Sequence, residues 1–294
     1  MSDPAINRAA IQAMIASQAT FSVSDTMVKL VTSHLPAGEI MAIRGVFGTG
    51  LLVLTLLVMG HGRSLARLAQ PVVLVRAGLE CVISLLFVLS IGLMPIANYT
   101  AIIQSAPLII TALSVVLFAA PVGWRRWLAI FTGFAGVLLV AKPDAGGFGM
   151  AALLAVACAF LVAVRDLVTR RVPAHVPSHV VTLASTAATM LLGMGLTAAT
   201  PVVAASPVDV AELALAAVAV TTANFFVIFA CRKADLPVVA PFRYSVMPFA
   251  LLSGYFVWGN VPDLWGALGI VLICASGLYA FYRERLRARA AMQG

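Results

Sequence analysis

Ten stretches of about twenty mostly apolar residues follow one another along this chain, and no other feature so narrows what it can fold into. A helix that crosses a bilayer needs roughly 20 such residues, and the runs lie at 8–30, 39–59, 71–91, 94–118, 124–141, 149–168, 179–199, 209–230, 238–258 and 262–282. Backbone groups in lipid must find their partners inside a helix or around a closed barrel. The runs lack the alternation of barrel strands and are too long for them, so the expected fold class is an all-α integral membrane protein. The composition agrees: 62% of the 294 residues are hydrophobic and 10% charged, with a mean hydropathy of +1.04, far beyond what a soluble core calls for.

The first run is interrupted by Gln12, Gln18, Ser22 and Asp25. It lacks the short clean apolar core of a signal peptide, and we expect it to be kept. Cys81, Cys158, Cys231 and Cys274 fall in or beside spans with no paired spacing, which points to packing rather than disulfides or zinc. Basic residues flank alternate span ends: Arg8, Arg63, Arg67, Arg125, Arg126, Arg170, Arg171, Arg232, Lys233, Arg283, Arg285, Arg287 and Arg289 on one side, against Lys142 alone in the links of the other, with Lys29 at a border. The positive-inside rule then places both termini in the cytoplasm, in a multi-pass protein of the inner membrane. The net charge of +8 follows from that topology and from anionic lipid, and it argues for no nucleic-acid partner. A monomer is the expected state. Trp124, Trp127, Trp258 and Trp265 sit at span ends, as interfacial aromatics do.

An internal repeat lies beneath this pattern. Asp25 and Lys29 recur as Asp166 and Arg170, an offset of 141 residues, and the same offset pairs Pro107 with Pro248, Pro121 with Pro262, Trp124 with Trp265 and Gly136 with Gly277. The chain therefore reads as two homologous halves, 1–146 and 147–294, of five spans each. Because five is odd, the halves enter the membrane in opposite directions. Inverted repeats of this kind build many secondary transporters, with the substrate held between the repeats near the midplane.

The segments "EIMAIRG", "PIANYTAIIQSAPLIITALSVVLF" and "FTGFAGVLLV" in the first half, and "LPVVAPFRYSVMPFALLSGYFVWG" with "GALGIVLICASG" in the second, resemble the two EamA-type repeats of the drug/metabolite transporter superfamily. The resemblance implies ten helices, a central cavity built from the first four helices of each repeat, and export of small metabolites, as by YddG-like exporters of aromatic amino acids. Many relatives carry a Glu after the fourth helix of a repeat. This chain has Ala120-Pro121 and Asn260-Val261-Pro262 there.

Ionisable groups at membrane depth are expensive, and each invites a functional reading. The pairs Asp25–Lys29 and Asp166–Arg170 recur in both repeats near helix ends, which favours a scaffold or gate role over contact with an asymmetric substrate. Arg76 and Arg165 lie near cytoplasmic ends and are expected to snorkel. Glu80 lies about 14 Å into its span at 1.5 Å per residue; it either carries a proton or forms a buried pair with Arg76, four residues away. Asp25 is the other candidate for proton coupling. Arg44 suits a substrate carboxylate or pairing with Glu39, and Arg243 suits a carboxylate or a helix-end carbonyl.

The richest site signal surrounds Pro107 and Pro248, each of which removes the bond to the carbonyl four residues back, at Ile103 and Tyr244. Asn98, Tyr99, Gln104 and Ser105 gather around one kink, and Arg243, Tyr244 and Ser245 around the other. Tyrosines and amides together suit a small zwitterion or a planar ring. Tight P-loop, G-x-S-x-G and H-E-x-x-H signatures are missing from the sequence, and His34, His61, His175 and His179 all fall in links or at span ends. Catalysis and a cofactor are therefore not expected. The expectation is a secondary transporter exporting amino acids or planar cationic compounds; a lipid-linked carrier flippase of the same fold is the alternative.

Overall fold

The computed structural model describes residues 4–58, 68–118, 124–142, 149–169, 171–173, 176–234 and 236–291. In chain order the helices are α1 (Pro4–Val31), α2 (Ala37–Val58), α3 (Pro71–Leu93), α4 (Ile96–Ile103), α5 (Ala106–Phe118), α6 (Trp124–Ala141), α7 (Met150–Thr169), α8 (Ser178–Ala198), α9 (Pro207–Lys233) and α10 (Leu236–Val239). A 3-10 stretch, Ala240–Ser245, then precedes α11 (Val246–Trp258) and α12 (Leu264–Ala291). No strand occurs among the described residues. Among the described residues, seven segments, including Ile96–Val115 across the α4–α5 break, are long and apolar enough to cross a membrane; Trp127–Ala141 is a shorter apolar helix.

Two of the predicted spans are not single helices. The span at 94–118 breaks at Gln104 and Ser105, and the span at 238–258 begins as α10 and a 3-10 turn before α11 takes over. Proline explains both placements. Its ring clashes with the carbonyl four residues back, so distortion falls on the N-terminal side of Pro107 and Pro248. Pro241 adds to this at the start of the 3-10 turn.

The helices sort into two compact units that do not follow the two halves. One unit consists of Val23–Leu93 and Val164–Thr222, and the other of Met1–Ser22, Met94–Ala163 and Ala223–Gly294. Each therefore takes matching segments from both repeats.

Within the first unit, α2 packs on α8, and these two helices are repeat counterparts. A Cβ at Gly45 would meet Met190 Cβ at 2.6 Å, one at Gly193 would meet the Ala42 nitrogen at 2.5 Å, and one at Gly38 would meet Leu196 Cβ at 2.9 Å. Rising numbers on α2 meet falling numbers on α8, so the counterparts run antiparallel. That is the inversion expected from the odd span count, seen in contact. Small residues serve such a face because apolar side chains gain nothing by leaving lipid, and close backbone approach supplies the attraction instead. Leu52, Leu56 and Leu183 and Val73, Val176, Val180 and Val181 form the unit's buried clusters.

The second unit repeats the device. Its α6 and α12 are counterparts and also pack together. A Cβ at Gly136 would lie 2.7 Å from the Gly269 carbonyl oxygen, and one at Gly269 would lie 2.6 Å from that of Gly136. The broken segments are counterparts too, with α4 packed on α11. Ala10, Ala13 and Met14 of α1 close the unit against Ala230, Ala234 and Val239.

Candidate functional site

In the unit that holds both broken segments, the breaks meet. At the first, the helix tightens: Gln104 N–H still reaches the Thr100 carbonyl at 3.0 Å, whereas Ser105 N–H reaches back only three residues, to Ile102. The Ser105 hydroxyl donates to the same Ile102 carbonyl at 2.6 Å. At the second break, the Ser245 hydroxyl donates to the Phe242 carbonyl at 2.7 Å. Each serine hydroxyl thus adds a side-chain hydrogen bond to a carbonyl three residues back within its irregular turn.

Two hydrogen bonds then tie the breaks together. The Gln104 side-chain amide donates to the Arg243 carbonyl at 3.3 Å, and the Tyr244 hydroxyl donates to the Gln104 carbonyl at 3.3 Å. Tyr244 is 6% exposed, with its ring edge-on to Phe281, centroids 6.3 Å apart. It fills space left by Gly277, where a Cβ would collide with the phenol. Arg243 is exposed beside it. Of the residues expected around the kinks, the structure thus joins Gln104, Arg243 and Tyr244 directly.

Tyr99 and Asn98 are placed differently. Tyr99 is buried, its hydroxyl 3.5 Å from Cys158 Sγ on α7. Asn98, in the first turn of α4, helps line a cavity of about 180 Å³ bounded by Pro95, Gly254, Asn260, Asp263 and Lys142.

The remaining charged candidates lie in the other unit. Arg165, expected to snorkel, is paired inside the protein. Its guanidinium lies 3.1 Å from Glu80 Oε2 and 2.7 Å from Asp166 Oδ1, so one cation holds two acids on α3 and α7. The expected Arg76–Glu80 pair is present but loose, at 3.9 Å, because Arg76 turns to the Thr169 and Ser185 hydroxyls. Lys29 donates to the Ile91 carbonyl on α3. Arg170, and with it the second predicted acid–base pair, lies outside the described residues. Arg44 stacks over Phe87, 5.7 Å from the ring centroid, and lies within electrostatic reach of half-buried Asp25. Glu39, considered as its partner, accepts from the Val203 N–H at 2.7 Å. Ser24 Oγ and Thr49 Oγ1 are buried with no hydrogen-bond partner among the described residues.

Sequence reasoning missed the Arg165 hub and the Lys142–Asp263 pair. The first half of the hub, adjacent Arg165 and Asp166, was visible. Glu80 stands 85 residues away, and nothing local announces such a contact.

Residues 8–142 match the EamA-like transporter family. The chain is 23% identical over 270 residues to the S-adenosylmethionine uptake transporter of Rickettsia prowazekii, covering 90% of each. It is 30% identical over 200 residues to the riboflavin transporter of Vibrio cholerae, covering 66% of this chain and 65% of that protein. It is also 24% identical over 255 residues to the pseudopaline exporter of Pseudomonas aeruginosa, covering 86% and 89%. A crystal structure at 21% identity shares the fold with a TM-score of 0.66, covering 94% of this chain and 98% of its own.

Proposed function

We propose that the chain, whose residues 8–142 match the EamA-like transporter family and which resembles curated transporters along 90% of its length, is a member of the drug/metabolite transporter superfamily that exports a small amphipathic metabolite across the inner membrane by alternating access. The repeats are taken as residues 1–146 and 147–294, and the substrate as one that joins a planar ring to an amino-acid zwitterion or a carboxylate. Aromatic amino acids and planar cationic compounds fit this class. The substrates named for two relatives carry parts of the same chemistry, an amino-acid group with an adenine ring in S-adenosylmethionine and a fused planar ring in riboflavin.

The observation that carries the proposal is the meeting of the two broken segments through Gln104, Arg243 and Tyr244. Irregular backbone at membrane depth is tolerated where it is buried in protein or lines a polar cavity, and in inverted-repeat transporters broken helices mark the substrate site. Both hydrogen bonds are long for their type. A ligand that offers a better donor or acceptor displaces them at small cost. Within this reading Tyr99 and Ser105 are further substrate contacts. Asp25 carries a coupling proton in preference to Glu80, which already serves Arg165.

Proteoliposomes containing the purified protein, loaded or bathed with radiolabelled phenylalanine, tryptophan, S-adenosylmethionine or riboflavin, test both substrate class and direction. At least one of these should move faster than in empty liposomes, outward from the side bearing the termini. Movement only towards that side would make the protein an importer, and no movement of any of them would end the amphipathic-metabolite reading.

A further inference from the structure

We propose that the cavity beside Lys142 and Asp263 is a second binding site, one that takes a small zwitterion. It lies within a single compact unit and is bounded by the first turn of α4, by the link between α11 and α12, and by Lys142 at the end of α6. At its rim Lys142 Nζ and an Asp263 carboxylate oxygen are 2.5 Å apart, with both side chains about half exposed.

Each charge is mounted on a fixed piece of backbone. Asp263 caps α12, accepting from the Gly266 N–H at 3.3 Å. The link that carries it starts from Gly259, whose φ of 67° needs the left-handed region open to glycine. Gly259 N–H closes onto the Tyr255 carbonyl, and Asn260 N–H onto that of Gly254. Lys142 terminates α6, itself in a left-handed conformation at φ 45°.

An exposed ion pair contributes little to stability because water and salt screen it. A zwitterion can therefore part the two charges and satisfy both, its ammonium on Asp263 and its carboxylate on Lys142, with no net charge brought in. Asn98 and Asn260 supply neutral donors and acceptors behind the rim. At about 180 Å³ the space falls below the roughly 300–1,000 Å³ of sites for drug-sized ligands. It admits a small α-amino acid or the zwitterionic end of a larger solute.

The repeat does not reproduce this arrangement. At the 141-residue offset, Lys142 corresponds to Arg283 and Asp263 to Val122. A purely structural tie between the counterpart helices α6 and α12 would be expected at both ends of their contact. A ligand site has no such need.

Glycine is the probe. The full chain in nanodiscs is titrated with it, and binding is read by saturation-transfer difference NMR, with acetate and methylammonium as half-ligands. A saturable glycine signal should appear, stronger than either half-ligand gives, and should weaken tenfold or more in Asp263→Asn and in Lys142→Gln. The double variant Lys142→Asp/Asp263→Lys should recover it, because a zwitterion binds equally well reversed; should a single variant fail to fold, loss of the signal in that double variant overturns the proposal. Phe131→Ala, at an exposed position on α6 with no part in either site, should leave the signal intact. No saturable signal in the parent protein, or one lost in Phe131→Ala or kept in Asp263→Asn, would overturn the proposal.

Discussion

Single side chains decide how far the two kinks can act as a site. Tyr244 spends its hydroxyl on the Gln104 carbonyl and its ring on Phe281. Tyr244→Phe should therefore cost only the net worth of one long hydrogen bond, about 0.5 kcal/mol, and shift transport affinity about twofold. Tyr244→Ala should weaken affinity tenfold or more, the equivalent of about 1.4 kcal/mol, whereas Phe131→Ala on exposed α6 should leave it nearly unchanged; flux titrations in proteoliposomes distinguish the three. At the Arg165 hub, Glu80→Gln leaves a half-buried cation with one acid in place of two. Breaking fully buried pairs costs about 3–5 kcal/mol, and partial exposure here reduces that to about 1–2 kcal/mol. Thermal unfolding in detergent should show this loss, and Glu80→Met with Arg165→Met together should cost less than the sum of the singles. Asp263, in the link ahead of the apolar segment Leu264–Arg283, has its carboxyl held below the ordinary value chiefly by the hydrogen bond from Lys142. A depressed native pKa gives stability that is full above the unfolded pKa and is lost as pH falls through the native one. Because the pair is exposed and screened, the difference in unfolding midpoint between Asp263→Asn and the parent should be small at neutral pH and vanish at pH values below the ordinary carboxylate range.

Individual helices carry most of what was legible in the sequence. The span centres, the all-helical class and the 141-residue repeat follow from apolar run length and from the spacing of rare prolines and tryptophans, properties that survive without tertiary context. The exact breaks at Gln104–Ser105 and Ala240–Ser245 do not, because a proline says that a helix is disturbed upstream but not whether it bends or converts to a 3-10 turn. Which helices pair was equally hidden: the glycines of α2 and α8 were visible, but a small residue announces a close approach and not its partner. That partner makes a sharp test. Gly45→Leu places atoms where Met190 already stands and should cost about 1–3 kcal/mol by overpacking, lowering the yield of folded protein in detergent. Gly50→Leu on the same helix, with nothing within 4 Å of its added Cβ, should be tolerated.

For the whole molecule, orientation rests on the basic residues and the antiparallel counterparts together. A cysteine placed at Lys142 or Trp258 in a variant lacking Cys81, Cys158, Cys231 and Cys274 should react with an impermeant maleimide in intact cells, and one at Arg171 should react only after lysis. The opposite pattern would invert the topology and with it the proposed direction of export. The interleaving of the halves also has a consequence for biogenesis. Neither compact unit exists until its second portion has been made. The glycine face of α2 waits for α8, 141 residues later in synthesis, which at about 5–20 residues per second is roughly 7–28 s. During that interval a helix shaped for another helix has only lipid or the insertion machinery for company, and the vulnerable moment in this protein's life falls before its second half has left the ribosome.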